Sequence, residues 1–177
     1  MLIKENLKIL VETFHLHSIM KGSIKQTIIE AGDRQNNQTN VKAYMTDWFI
    51  TSKEIKFLCK WVENKIYDEL CSPMIGKSKN LVHTIILESC WGSVYNMGDY
   101  AQSHNHESSY SFVYYIETPK GSSPLIFDTS QEKINAEEGN VIIFPGTILH
   151  SVPKNKCNGR IVLAGNYYQE ANISTRE

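Results

Sequence analysis

The sequence predicts a mainly β protein with a double-stranded β-helix (jelly-roll, cupin-like) core and an N-terminal supporting helix. Three observations lead to this fold class. One amphipathic helix precedes residue 71, a segment containing Pro73 and Gly76 follows it, and the later apolar runs are short and extended. Such runs between turn residues are typical of sandwiches and jelly rolls, and a helix beside them would cover one face of a sheet.

A chain of 177 residues is expected to form one domain, because this length supports a single well-buried core. Residues 1–80 would form a layer of strand and helix, and residues 81–170 the jelly-roll core with the functional site. Residues 171–177 would form a tail.

The N-terminal part is predicted to open with a strand around residues 7–14 and to continue through a polar loop at 31–40. The clearest helix follows, where Thr51 and Glu54 form a capping-box pattern. Its apolar stripe repeats at helical spacing and is typical of a buttress against a sheet. The stripe consists of Ile55, Leu58, Val62, Ile66 and Leu70.

A Pro- and Gly-containing linker at 71–80 separates this helix from the strands. The strand-length segments are rich in β-branched and aromatic residues, and most are bounded by Gly, Pro, Asn or Ser. They read LVHTIILES, GSVYN, YSFVYYIET, PLIFD, VIIF, ILHSV and RIVLAGNYY.

Composition excludes several classes of function. The net charge of −1 gives no basic footprint for nucleic acid, so nucleic acid is not a favoured partner. The four cysteines form no Cys-x-x-Cys pair, and no apolar run has the length of a signal peptide core or a membrane span. These features predict a cytoplasmic protein with free thiols and no membrane partner.

The most informative stretch holds His104 and His106, two residues apart between small polar residues. On a strand, residues i and i+2 point to the same face, so both imidazoles would converge on one metal ion. His150, between a Pro-Gly turn and a short strand, is the candidate third ligand. His15 and His17 repeat the spacing without any such context, which shows that the spacing alone is not specific.

Arg160 follows His150 by ten residues and opens another apolar run. Its guanidinium suits bidentate binding of a carboxylate near the metal. Three protein ligands on one face of an octahedral iron leave three positions for other ligands. The combination indicates a metal site that binds an organic acid.

These residues resemble the Fe(II)- and 2-oxoglutarate-dependent dioxygenases, in particular the prolyl-4-hydroxylase-like group and related bacterial and phage proteins. That family has a His-x-Asp pair, a distal His and a basic residue about ten positions later. His104, His106, His150 and Arg160 stand at these positions, and Tyr95 and Gly98 match a Tyr and a Gly before the pair. The resemblance implies that Fe(II) is held by the histidines, and 2-oxoglutarate by Arg160 and Tyr95.

His106 replaces the Asp of the family, which would give three neutral imidazole ligands. Glu107 is the fallback carboxylate ligand, provided that the chain bulges there. The same residues also resemble a cupin, although the glutamate that usually follows the His pair is missing between Ser108 and Phe112. A cupin would keep the architecture and change the chemistry.

Two more residues are candidates for the cosubstrate pocket. Tyr114 would share a face with the histidine pair if one strand continued unbroken, whereas Tyr115 would point away. Asn166 lies on the same strand face as Arg160 and would contact the cosubstrate or make a structural hydrogen bond.

The resemblance implies hydroxylation of a C–H bond in a peptidyl prolyl group or a small molecule. A nucleic-acid dealkylase would typically carry a second Arg after Asn166, and residues 167–172 contain none. A cupin-type metalloenzyme and a non-catalytic jelly-roll binding module remain as alternatives. An exposed strand edge would allow a homodimer.

Overall fold

Two antiparallel β-sheets face each other, and two helices cover the outer face of the larger sheet. The structure is a computed structural model, and it describes residues 7–36, 38–71 and 81–173. The major sheet has six strands in the order β1-β9-β6-β11-β4-β3, and the minor sheet has five in the order β2-β5-β10-β7-β8. This arrangement is the double-stranded β-helix that the sequence predicts.

The elements follow one another along the chain in this order: β1 (Leu10–Thr13), α1 (His17–Ala31), β2 (Val41–Lys42), β3 (Tyr44–Met45), α2 (Lys53–Ile66), a π-helical turn (Tyr67–Cys71), β4 (Leu81–Tyr95), β5 (Tyr100–His104), β6 (Tyr110–Glu117), β7 (Leu125–Phe127), β8 (Glu132–Ile134), β9 (Asn140–Pro145), β10 (His150–Val152) and β11 (Arg160–Ile173).

The N-terminal part is more than a supporting layer, because it contributes strands to both sheets. β1 pairs with β9, β2 with β5, and β3 with β4. At the other end, residues 171–173 continue β11, while the rest of the predicted tail lies outside the described residues. Residues 72–80 of the predicted linker also lie outside them.

Two hydrophobic clusters lie on opposite faces of the major sheet, because successive side chains of a strand point to opposite faces. One cluster packs the sheet against the helices and includes Tyr114, Leu163 and Ile28. The other fills the space between the sheets and includes Tyr115 and Val162. The functional residues described below lie in this second layer.

Helix α2 confirms the predicted buttress, with one correction at its start. Ile55, Leu58, Val62 and Ile66 of the stripe are buried. The N-cap residue is Ser52 rather than Thr51, and its hydroxyl accepts a hydrogen bond from the Ile55 N–H at 3.2 Å. The serine lies one residue nearer the helix and takes over the capping role.

Helix α1 and the unbroken length of β4 were not predicted. Helix α1 has no side-chain N-cap hydrogen bond and buries only Ile24 and Ile28, so the usual helix signals are weak. The sequence places a break near Gly92, yet β4 runs through it paired with β11. A Cβ at Gly92 would lie 2.4 Å from Ile28 Cγ1, so this glycine allows α1 to pack on the strand.

Candidate metal centre

His104, His106 and His150 converge between the two sheets, and they form a group that could hold a metal ion. Their candidate ligand atoms all lie within 4.8 Å of one another. Small side-chain rotations would therefore bring three nitrogens within the ~2.1 Å that a divalent ion requires. The sequence prediction of this triad thus agrees with its geometry.

Strand pairing positions two of the three histidines. His104 on β5 and His150 on β10 are direct partners across an antiparallel ladder, and such partners have Cβ atoms only about 5 Å apart. The ring centroids of this pair are 4.3 Å apart.

His106 reaches the site by a different route from the predicted one. Strand β5 ends at His104, so His106 lies in the following turn and not on the same strand. Its backbone N–H donates to Gly146 O at 2.8 Å, which ties the turn to the end of β9. Its ring centroid then lies 5.0 Å from that of His104 and 5.2 Å from that of His150.

The hydrogen bonds of two rings fix their tautomers in the form that binds metals. His104 Nδ1 lies 2.7 Å from Gln102 O, and His150 Nδ1 lies 2.9 Å from Ile148 O. A carbonyl only accepts, so each Nδ1 carries the proton and each Nε2 keeps its lone pair. A backbone carbonyl on the second ring nitrogen is also the usual orienting partner of a metal-bound histidine.

The three imidazoles are neutral at physiological pH. Burial lowers the pKa of His106 to about 3, helped by the charges that its two neighbours would carry. Burial and His104 lower the pKa of His150 to about 4. Burial also lowers the pKa of His104. Neutral imidazole is the form that coordinates a metal.

Arg160 is a buried cation, and no described residue supplies a counter-ion. It is 1% exposed, and no described residue accepts a hydrogen bond from its Nε or Nη1 atom. No carboxylate among residues 7–36, 38–71 and 81–173 lies within salt-bridge distance of it. Buried charges are normally paired, so the three N–H bonds of these two nitrogens point to an anionic ligand.

Two tyrosine rings hold the guanidinium in place. Tyr95 is the direct cross-strand partner of Arg160 on β4, and its ring centroid lies 4.5 Å from the Arg160 Cζ atom. The Tyr115 ring lies 5.3 Å away, and its buried hydroxyl has no hydrogen-bond partner in the described part of the chain. Burial raises the pKa of both phenols, so both remain protonated donors.

One cavity between the sheets joins the histidines to Arg160. Tyr95, Asn166, Trp91 and Phe144 also line it. Its volume is ≈ 40 Å³, well below the several hundred Å³ of typical ligand sites, so a bound diacid requires side chains of the wall to move apart.

Three predicted residues take other positions. Tyr114 is a wrong prediction for the pocket: it faces the helices, and its hydroxyl lies 2.7 Å from His17 Nδ1. A turn separates β5 from β6, so the assumption of one unbroken strand fails. Tyr115 therefore lies on the face between the two sheets. Glu107, the fallback ligand, is exposed and outside the histidine group.

Asn166 lines the cavity, but both ends of its amide are already occupied. Its Oδ1 accepts from Ser111 Oγ at 2.8 Å, and its Nδ2 donates to Ser89 Oγ at 3.1 Å. These bonds join β6, β11 and β4 at the cavity wall. They support the structural role, and cosubstrate contact by Asn166 stays a prediction.

Asp128 is a residue of the site that sequence reasoning missed. Its carboxylate accepts hydrogen bonds from Ser103 Oγ at 2.6 Å and from Ser151 Oγ at 2.7 Å. These serines are the chain neighbours of His104 and His150, so Asp128 connects the two ligand-bearing strands. The only sequence signal is an acidic residue at the end of the strand segment PLIFD.

The overall fold matches solved structures of 2-oxoglutarate and iron oxygenases. The first is the viral collagen prolyl hydroxylase of Paramecium bursaria Chlorella virus-1 in its 2-oxoglutarate complex: the TM-score is 0.69 at 16% identity, over 90% of this chain and 94% of that one. The second is a Trichoplax adhaerens prolyl hydroxylase in complex with a hypoxia inducible factor peptide fragment: the TM-score is 0.64 at 15% identity, over 90% and 83%.

A third similar structure is HygX from Streptomyces hygroscopicus with nickel, 2-oxoglutarate and hygromycin B bound. Its TM-score is 0.60 at 11% identity, over 92% of this chain and 83% of that one. These likenesses confirm the predicted resemblance at the level of the fold. No protein-family model matches the chain, and no curated protein matches its sequence.

Proposed function

We propose that this protein is an Fe(II)- and 2-oxoglutarate-dependent oxygenase that hydroxylates a C–H bond. The observation that carries the proposal is the shared cavity. Three neutral imidazoles lie at one part of it, and an unpaired buried guanidinium lies at another. A metal ion with an attached dicarboxylate would supply both groups with their missing partners.

Each residue has a distinct task in this proposal. The Nε2 atoms of His104 and His150, together with the His106 ring, would hold the iron. Arg160 would neutralise the far carboxylate of 2-oxoglutarate through the free N–H bonds of its guanidinium, and the protonated Tyr95 hydroxyl would donate to the same ligand. When bound, iron and 2-oxoglutarate supply the oxygen chemistry, and the apolar walls exclude water from it.

We propose a peptidyl group, such as a prolyl residue, or a small molecule as the substrate. The fold neighbours include one structure with a peptide and one with hygromycin B. Within the described part of the chain, no helix is long and apolar enough to cross a bilayer. Exclusion of nucleic acid, the homodimer and the cytoplasmic location all stay predictions.

The test is an anaerobic titration of metal-free protein with Fe(II) and then with 2-oxoglutarate. We expect the visible charge-transfer band of the iron–ketoacid chelate to form. His104→Ala should abolish iron binding, and Arg160→Ala should weaken 2-oxoglutarate binding while leaving iron binding intact. His15→Ala, which removes an exposed histidine outside the site, is the matched control and should leave the band unchanged.

A cupin-type metalloprotein with other chemistry is the second candidate, and the all-imidazole ligand set favours it. Three nitrogen ligands fit several divalent metals as well as iron. In that case the titration would show iron binding without a charge-transfer band, and Arg160→Ala would leave iron binding unchanged. A non-catalytic binding module would bind neither iron nor 2-oxoglutarate at stoichiometric levels.

A further inference from the structure

An open groove lies beside the histidine cluster. It has a volume of ≈ 390 Å³ and is lined by Trp48, Phe49, Glu88 and Glu107, among other residues. His106 and Asn166 line both this groove and the enclosed cavity. A molecule in the groove would therefore lie next to the candidate metal centre.

Two aromatic side chains project into this groove from a fixed backbone. Phe49 is 75% exposed and Trp48 is 37% exposed. The Trp48 carbonyl accepts from the Cys90 N–H at 2.8 Å, and the Ile50 N–H donates to the Cys90 carbonyl at 3.0 Å. Aromatic side chains have only two rotatable bonds and so lose little entropy when they bind a partner, which makes them good anchors.

The Trp48 ring is also connected to the metal centre by packing. It lies 4.9 Å from the ring of the buried Trp91, and Trp91 lies 5.9 Å from the ring of His106. The aromatic wall is therefore continuous from the groove to a metal ligand.

The groove has a negative charge. Glu88 and Glu107 are both exposed, and neither makes an ion pair with any described residue. Carboxylates beside aromatic faces form a favourable environment for an ammonium or guanidinium group.

The groove continues along the edge of β4 into a second cavity of ≈ 190 Å³. Phe49, Glu88 and Ser89 line both the groove and the second cavity, and Lys56 lines only the second cavity. An elongated ligand could therefore lie along β4, with its basic group near Glu107 and the rest of its chain beyond Phe49. A peptide has this shape.

We propose that the groove binds a peptide substrate through a lysyl or arginyl side chain, which the two carboxylates and the two aromatic rings recognise. Peptide binding by the groove is independent of the oxygenase proposal, but the role of the peptide as a substrate rests on that proposal. The assignment narrows the proposed substrate class from any peptide or small molecule to a basic peptide.

The probe is the capped peptide acetyl-Ala-Ala-Lys-Ala-Ala-amide, compared with the same peptide carrying norleucine in place of lysine. Each is titrated into the protein with and without added Zn(II) and 2-oxoglutarate, and binding is followed by tryptophan fluorescence and by the indole N–H resonance of Trp48, which diamagnetic Zn(II) does not broaden. The lysyl peptide should bind about tenfold more tightly, and added salt should weaken its binding.

Variants of the groove identify the groups responsible. Glu107→Gln and Glu88→Gln should each weaken the lysyl peptide about threefold, as expected for exposed ion pairs, and the double variant should weaken it about tenfold. Trp48→Leu should weaken it about threefold. Glu132→Gln on β8, at the far edge of the minor sheet, is the matched control and should change nothing.

Equal binding of the two peptides, or a lysyl peptide that binds equally well to the double glutamine variant, would overturn the proposal. Binding of cadaverine as tight as that of the peptide would also overturn it, because a small amine would then be sufficient. The iron–2-oxoglutarate band is recorded on the same proteins. If the band is absent while the lysyl peptide still binds selectively, the oxygenase proposal fails and the groove assignment stands.

Discussion

Arg160→Met separates the contribution of Arg160 to ligand binding from its contribution to folding. Methionine keeps most of the apolar stem and removes the guanidinium. In the absence of ligand, Arg160 is a buried charge, and its Nε and Nη1 atoms have no hydrogen-bond partner among the described residues. The variant should therefore fold at least as stably as the wild type while it binds 2-oxoglutarate far more weakly.

The size of the stability change follows from two opposing contributions. Each buried, unsatisfied donor costs about 1–3 kcal/mol, and removing Nε and Nη1 recovers that cost. Each cation–π contact, with Tyr95 and with Tyr115, contributes about 0.5–2 kcal/mol and is lost. At the middle of these ranges, the recovered cost is about 4 kcal/mol and the lost contacts are worth about 2.5 kcal/mol. The expected net change is therefore a gain of about 1.5 kcal/mol in the free energy of unfolding of the metal-free protein, measured by urea denaturation.

The change in binding is larger and has the opposite sign. Removing one partner of a buried, hydrogen-bonded charge pair costs about 3 kcal/mol, which is a factor of roughly 150 in affinity. Calorimetric titration of the Ni(II)-loaded protein measures this loss. The matched ligand is 2-oxopentanoate, which lacks the far carboxylate: wild type should prefer 2-oxoglutarate, and Arg160→Met should bind both equally.

Two results would refute this reasoning. One is an Arg160→Met protein that is less stable by 2 kcal/mol or more and still prefers 2-oxoglutarate, because Arg160 would then be a structural residue. The other is a wild-type protein that does not distinguish 2-oxoglutarate from 2-oxopentanoate. The affinity of Arg160→Lys for 2-oxoglutarate is expected to lie between those of the wild type and Arg160→Met, because an ammonium keeps the charge without the bidentate geometry.

Three further predictions concern the histidine cluster. Asp128→Asn should weaken Ni(II) binding about tenfold in a competition assay with a chelator, because the link between the two ligand strands loses its charge; unchanged affinity would count against it. Gly146→Ala should also weaken metal binding, since a Cβ there would lie 2.3 Å from Ser108 Oγ and push away the turn that carries His106; a crystal structure of the variant with an unmoved His106 would contradict this. The metal-free protein should lose stability as the pH falls from about 6.5 to about 4. In this range the unfolded chain protonates His106 and His150, whereas their lowered pKa values of about 3 and about 4 keep them neutral in the fold. The free energy of unfolding should fall by about 1.4 kcal/mol per pH unit for each imidazole, and His150→Gln should reduce this slope.

The fold class and the proximity of the three histidines could be predicted from the sequence, for two different reasons. The strands are short, apolar and separated by turn residues, so local composition indicates them. The triad combines a His-x-His pair with a distant His and an Arg at a fixed interval. This spacing indicates which strands of the fold carry the residues, whether or not the local strand geometry is assumed correctly. The three histidines lie close together even though the strand assumed to carry His106 ends at His104.

The errors arise where the chain departs from regular structure. The turn at residues 105–109 changes the alternation of faces, so Tyr115 and not Tyr114 points at Arg160. The role of Asp128 could not be predicted from the sequence, because its partners, Ser103 and Ser151, are brought together only by the pairing of distant strands.

The distribution of charge would allow both ligands of the proposed reaction to bind at once. The enclosed cavity contains neutral imidazoles and the cation of Arg160, so it suits a metal with a dianion. The groove outside contains Glu88 and Glu107, so it suits a cation. His106 and Asn166 form the boundary between the two spaces. Because the two environments have opposite charge, neither ligand competes for the site of the other, and a carboxylate at position 106 would have reduced this difference by placing negative charge at the boundary itself.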